Sequence, residues 1–422
     1  MRGKARATLA IAAAGALTTA AVSHIPAPAP SADPALIEQG RYLVVLGDCA
    51  SCHTRPGGQP FAGGLPLETP FGAIYSANIT PDKDSGIGAW LEADFYRSMH
   101  EGRDDQNHHL YPAMPYPYYT LAPRAEVDAI RAYLMSLKPV GYTPPANTLP
   151  FPLNIRWGLT FWNWLYLKEG TWRLVSGRTA QWNRGAYIVE GLGHCGACHT
   201  PKTLAMGDKR DDALRGGVID NWFASDLNGG RRGGLGSWTG ADIVEFLKTG
   251  RNARSSASGS MSLVVQVSTS KMTDPDLAAI AVYLKSLPAA KVANPAGPKT
   301  AVMTAGRAIY VDECSACHKM NGAGVPRFFP PLAGNANVQS SDPTTLDRFI
   351  LTGTQAAATD PRPTALSMPA FGWKLTNAQA AAVATYIRNA WGNAASPVSA
   401  DEVGRLRGKV AAQPVRKPSG VV

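Results

Sequence analysis

The sequence predicts a mainly α-helical protein built from three tandem domains. Three observations predict it. All six cysteines of the 422-residue chain fall in C-x-x-C pairs, each followed directly by histidine: CASCH at 49–53, CGACH at 195–199 and CSACH at 314–318. A helix-like segment precedes each motif, carrying the related strings QGRYLV, RGAYIV and AGRAIY. A second apolar pattern, with spacings of three and four residues, closes each unit. One local order met three times is an internal repeat.

In chain order, residues 1–30 read as a signal peptide. Arg2, Lys4 and Arg6 precede a small-residue apolar run from Ala7 to about Val22, and a Pro/Ala-rich stretch follows. The alternative is an uncleaved anchor, but the run is short for a span and poor in Leu, Ile and Phe. The first domain covers 34–142, with helices over Pro34 to Leu46 and Ala125 to Leu137. An aromatic-rich linker occupies 143–177 and holds Trp157, Phe161, Trp162, Trp164, Tyr166 and Trp172. Two readings stand for it: buried packing at a seam between domains, or an exposed contact with a membrane or a partner. The second domain covers 178–290, with helices over Gln181 to Gly191 and Asp274 to Leu287. The third covers 298–394, with helices over Ala301 to Val311 and Asn377 to Trp391. Residues 395–422 are basic and rich in Pro, Gly and Ala, and are expected to be a flexible tail. A short helix near 400–411 is a weak candidate for a membrane or partner contact.

Gly40, Gly185 and Gly306 recur at matching places in the leading helices. Glycine inside a helix costs about 1 kcal/mol relative to alanine, so its recurrence predicts close helix packing. Thr273 with Asp276, and Thr376 with Gln379, have the spacing of N-cap boxes. Tyr133, Tyr283 and Tyr386 occupy equivalent points and are expected to pack on the leading helix or on a cofactor edge.

C-x-x-C-H reads as covalent attachment of haem c. Two thiols bond the vinyl groups on one porphyrin edge, and the adjacent histidine reaches the iron from one face. Cys49, Cys52, Cys195, Cys198, Cys314 and Cys317 are therefore the attachment residues, and His53, His199 and His318 the first axial ligands, for three haems. A redox-dithiol reading leaves the three histidines unexplained, and a zinc reading needs more clustered soft ligands than the chain offers.

Methionine is the expected second axial ligand, because it raises the potential relative to two histidines. Met114 in YPAMPYPYY and Met368 in SMPAFGW each precede a proline before a closing helix. The second domain lacks a Met-Pro pair. Met261 follows His199 at nearly the distance that separates Met114 from His53, whereas Met272 has the position of a hydrophobic residue before an N-cap. Met261 is favoured and Met272 stays open. His108 or His109 is a lesser alternative to Met114.

Longer strings carry a resemblance. GDCASCHTRPGGQPFAGGLPLETPFGAIYSANITPDKDSGIG, LYPAMPYPYY, GACHTPK, IVEFLKTGRN and AIAVYLKSLP resemble the three-haem cytochrome c subunit of bacterial membrane-associated alcohol, aldehyde and sugar dehydrogenase complexes, over roughly 34–392. The resemblance implies three tandem class I-like cytochrome c domains, with Met114, Met261 and Met368 as distal ligands. It also implies a partner catalytic dehydrogenase subunit of flavin, pyrroloquinoline quinone or molybdenum type. Electrons would pass to membrane ubiquinone or another respiratory acceptor, at the periplasmic face of the bacterial inner membrane with peripheral membrane contact. The serine-rich RSSASGSMS around Met261 departs from the usual form of that loop.

The formal charge of +10 includes the three basic residues of the export segment. No lysine-rich run or basic helix marks a nucleic-acid binder, and Arg231-Arg232 sits among glycines as a solvated loop. No catalytic residue is expected, since six-coordinate irons leave no position for substrate. The alternatives are a multi-haem redox enzyme, peroxidase-like or a reductase, and a free periplasmic electron shuttle.

Overall fold

The computed structural model describes residues 33–289 and 295–411. The expected signal peptide and the last residues of the tail lie outside them.

Three helix pairs organise the chain. Pro34–Leu46 packs on Arg124–Ser136, Ala180–Glu190 on Asp274–Lys285, and Thr300–Glu313 on Asn377–Asn389. In each pair the glycine of the leading helix faces an alanine carbonyl of the closing helix: Gly40 on Ala129, Gly185 on Ala279, Gly306 on Ala382. A Cβ at any of the three would collide with that carbonyl, so the missing side chain lets the two backbones meet. Tyr133, Tyr283 and Tyr386 flank the same crossings through their own Cβ atoms.

Further helices lie in the chain between the members of each pair: Glu92–His100 in the first unit, Gly240–Thr249 and Ser260–Val267 in the second, Thr344–Thr352 in the third. Three small antiparallel sheets join Pro66–Thr69 to Gly72–Tyr75, Gly217–Ile219 to Trp222–Ala224, and Thr354–Gln355 to Ser367–Met368. Their registers pair Pro66 with Tyr75, Gly217 with Ala224, and Thr354 with Met368.

The first two units share one hydrophobic core, in which Leu46, Ile130 and Leu134 join Ile188, Leu192 and Leu277. The third unit has its own, built around Tyr310, Val383, Ile387 and Val403. Polar ties reinforce the first seam. Asp276 accepts both Nε and Nη2 of Arg184 at 2.8 Å and the Tyr42 hydroxyl at 2.6 Å. Tyr187 donates to Glu126 at 2.5 Å.

Those ties correct one expectation. Thr273 caps the Asp276 amide, but the Asp276 carboxylate turns to Arg184 and Tyr42 instead of closing a capping box. Thr376 and Gln379 do close theirs, with both reciprocal bonds present.

The linker takes the packing role weighed for it: its helix Leu159–Tyr166 is bonded to both neighbouring units, while Phe161 and Trp164 on that helix and Trp157 in the turn before it are exposed.

The expected flexible tail is corrected over Ala400–Ala411, where the short helix also weighed there forms. Ala400–Ala411 is a helix packed on Thr344–Thr352 and Asn377–Asn389. Val403 and Leu406 are buried, and Arg407 bonds Asn377 and the carbonyls of Leu375 and Gly372. Ser399 with Glu402 supplies a full N-terminal cap. Composition misled here because the basic residues alternate with an apolar stripe.

Candidate cofactor-binding pockets

Each C-x-x-C-H string folds as a single helical turn that ends on its histidine: Cys49–His53, Gly196–His199 and Ser315–His318. One turn brings both cysteines and the histidine to the same lip, the arrangement that two thioether bonds and one axial nitrogen require.

All three histidines make the same bond. Nδ1 of His53 lies 2.7 Å from the Ala77 carbonyl, Nδ1 of His199 2.6 Å from that of Ser225, and Nδ1 of His318 3.0 Å from that of Pro330. A carbonyl only accepts, so Nδ1 carries the proton and Nε2 keeps its lone pair for a metal. Burial holds each imidazole below its ordinary value, with the carbonyl bond partly offsetting it. In the first two units the accepting carbonyl follows the second strand of a small sheet, Gly72–Tyr75 or Trp222–Ala224. These strands position the ring.

Burial favours the protonated thiol at four of the six cysteines. Burial pushes Cys49, Cys195 and Cys314 each up to about 12, and raises Cys198 as well. Redox cysteines need the opposite shift. Among the described residues no group of three or more His, Cys, Asp or Glu side chains converges as a metal cluster.

The third pocket has the most complete geometry. Cys314, Cys317, His318 and Met368 line one cavity of about 160 Å³ with apolar walls from Phe349, Ile350 and Phe371. The residues fit haem c: two thiols, one imidazole and one thioether around an apolar slot. Met368 enters from the short strand Ser367–Met368.

Ser255, Ser256 and Ser258 of the second unit also line this cavity. Ser258 forms a bridge with Ala356, extending the third unit's own sheet. Glu245 holds Arg327 at 2.5 Å and Arg362 at 3.0 Å, and Arg251 donates to the Thr364 carbonyl at 3.2 Å. The IVEFLKTGRN string thus builds the seam between the second and third units.

Met114 is half-buried and packs on the core that also holds Cys49. Met261 is half-buried in the first turn of Ser260–Val267, beside Ala257, Val265 and Phe246. Gly259, two residues earlier, lies on the Trp222 indole, in the strand leading to Ser225. Met272 is buried in the main core immediately before the Thr273 cap. Both ring nitrogens of His109 are engaged, Nε2 by Thr160 at 2.9 Å and Nδ1 by Asn163 at 3.3 Å.

The first and second motifs are neighbours. Gly47 lies against Leu192 and the Cys49 sulfur, and Tyr119 packs edge-on to His194 with centroids 5.4 Å apart. Asp48 is near enough to Cys49, Cys195 and Cys198 to act on each electrostatically. The helix carrying Met261 also packs on Cys49–His53. Sequence reasoning missed this adjacency, because no local signal encodes which motifs face each other.

Known proteins share this pattern. The cytochrome c family model matches residues 37–138 and 303–391, which contain the first and third motifs. The chain is 40% identical over 398 residues to the gluconate 2-dehydrogenase cytochrome c subunit of Pantoea cypripedii, covering 89% of this chain and 90% of that protein. It is 41% identical over 399 residues to the cytochrome c subunit of the alcohol dehydrogenase (quinone) of Gluconacetobacter polyoxogenes, covering 90% and 85%. It is 34% identical over 414 residues to the fructose dehydrogenase cytochrome subunit of Gluconobacter japonicus, covering 90% and 84%.

Proposed function

The chain belongs to the cytochrome c subunits of bacterial sugar and alcohol dehydrogenase complexes, and from that premise we propose that it carries electrons from a catalytic dehydrogenase subunit to a respiratory acceptor through three covalently bound haems. The observation that carries the reading is the triple recurrence of a histidine whose Nδ1 is bound to a backbone carbonyl beside two cysteines.

Three cytochrome c domains over 34–142, 178–290 and 298–394 would each hold one haem. Cys49 and Cys52, Cys195 and Cys198, and Cys314 and Cys317 provide the thioether bonds. His53 with Met114, His199 with Met261, and His318 with Met368 would hold the three irons. Bound haem c supplies a one-electron ferric/ferrous couple. The chain's own residues do the rest: the carbonyls of Ala77, Ser225 and Pro330 orient the rings, and the apolar walls exclude water. A histidine and a methionine at each site would leave substrate no place on the metal, and burial and nearby dipoles would tune each potential.

The second domain is the middle of the relay. Its motif adjoins the first motif, and its Met261 loop walls the third pocket. The partner subunit would use flavin, pyrroloquinoline quinone or molybdenum, and the acceptor would be membrane ubiquinone or another respiratory carrier, at the periplasmic face of the inner membrane.

The test is the mature protein, made in a host that attaches haem and mixed with a catalytic subunit and its substrate. Three haem masses on the chain and full reduction of low-spin bands on adding substrate are expected. A polypeptide-only mass, or bands that substrate leaves oxidised, would sink the reading.

A further inference from the structure

Arg251 is a buried cation without an anion. It is 7% exposed. Its Nη2 donates to the Thr364 carbonyl at 3.2 Å, and its Nε has no partner. Burial holds its guanidinium below the ordinary value, the neighbouring Arg362 adds to that, and no carboxylate offsets either. The acids of this seam are already taken. Asp242 holds Arg254 at 2.9 Å, and Glu245 holds both Arg327 and Arg362. Four guanidiniums therefore share two carboxylates. A buried charge left unpaired is strongly destabilising, so the site calls for an anion that the chain's own side chains do not supply.

Two placements say where that anion comes from. Arg251 forms an antiparallel bridge with Ser256, and opposed residues of such a bridge share one face. Ser256 lines the third cavity, and Thr364 lies two residues before Leu366, which lines it too. Arg251 also follows Gly250, the left-handed end of Gly240–Thr249, as Thr354 follows Gly353 at the end of Thr344–Thr352. Thr354 lines its own unit's cavity and pairs in register with Met368. The repeat thus puts Arg251 at the matching place of the second unit, and the bridge faces it toward the third.

We infer that Arg251 is the partner of a haem propionate, a planar fork meeting a planar carboxylate. The inference rests on the reading above, in which haem c fills these pockets. The carboxylate comes from the second haem or the third, and experiment separates the two sources. Arginine does not lose its proton in proteins, so the pair holds the propionate ionised. A seam role alone, through the Thr364 carbonyl, needs no charge and leaves Nε unused.

The experiment is a spectroelectrochemical titration of the haem-loaded chain across pH, for the parent, Arg251→Gln, Arg251→Lys and Arg254→Gln. Without Arg251 a buried propionate loses its counter-charge, and its protonation moves up by about 1–3 pH units. A neutral propionate favours ferrous iron more than an ionised one does. One potential in Arg251→Gln should therefore fall as pH rises through the neutral range, where the parent should be flat. Arg251→Lys keeps the charge without the fork and should lie between the two. Arg254→Gln removes an equal charge from the same seam, at a residue that already has Asp242, and should keep the parent profile. Movement of the haem that Met368→Ala also alters assigns the propionate to the third haem. Movement of the one that Met261→Ala alters assigns it to the second. Arg251→Gln with the parent profile, however much stability it loses, or movement confined to the first haem, would overturn the inference. Should Arg251→Gln not fold, Arg251→Lys with the parent profile does the same. A parent chain that carries no haem would refute the electron-transfer reading itself, and this inference with it.

Discussion

Gly185 and Tyr283 meet at the centre of the second helix pair, where a Cβ on the glycine would lie 3.0 Å from the tyrosine Cβ and would collide with the Ala279 carbonyl. Gly40 with Tyr133 and Gly306 with Tyr386 repeat the relationship, at 2.9 and 2.7 Å. The crossing sets how closely the two helices approach, and so where the motif after the leading helix comes to rest.

Gly185→Ala should therefore destabilise the haem-loaded protein by about 1–3 kcal/mol in urea unfolding, overpacking outweighing the gain in helix propensity. Gly408 on the tail helix has open space around it. Gly408→Ala should stabilise by about 0.5–1 kcal/mol.

Asp276 gives the first seam its pH dependence. Burial pushes its carboxyl up, but the bonds from Arg184 and Tyr42 outweigh burial and hold it below the ordinary 3.8. A depressed folded value contributes stability above the unfolded value, and that stability is lost as pH falls through the folded one. Wild type should lose stability below about pH 4, and Asp276→Asn should flatten that limb while costing stability at pH 7. Thermal melts across pH read both.

The methionines separate by spectroscopy. If the proposed ligation holds, Met114→Ala, Met261→Ala and Met368→Ala should each convert one of the three proposed haems from low-spin methionine ligation. Met272→Ala should leave the spectrum intact while costing about 2–5 kcal/mol of stability, because Met272 is core. A spectral change in Met272→Ala with none in Met261→Ala would reverse the assignment.

The serine wall should tune the third site from the neighbouring domain. Ser256 lines the third cavity. Removing its hydroxyl makes the pocket less polar, which disfavours the more highly charged ferric form. Ser256→Ala should raise the third potential and leave the first unmoved in a spectroelectrochemical titration.

The tail helix completes the third unit. Leu406→Ala should destabilise by about 2–5 kcal/mol, because its side chain is buried against the third core. Unfolding followed by circular dichroism measures it; an effect near zero would restore the expectation of a free tail.

By itself the sequence determined what is local. C-x-x-C-H places two thiols and an imidazole on one helical turn, and an apolar period of three and four residues makes the helices around it. Hence the three motifs and the leading and closing helices were legible, with ends differing from the structure by no more than a few residues. The repeated glycines were legible too, because a costly residue kept at three matching helical places signals a close approach. Only the tertiary structure decided what pairs across long separations. It brought Asp48 to the second motif, turned Asp276 from its cap to Arg184 and Tyr42, laid the serine loop against the third cavity, and packed Ala400–Ala411 onto the third core. Each of these depends on which surfaces can be buried together, and burial is a property of the whole folded chain that no window of sequence contains.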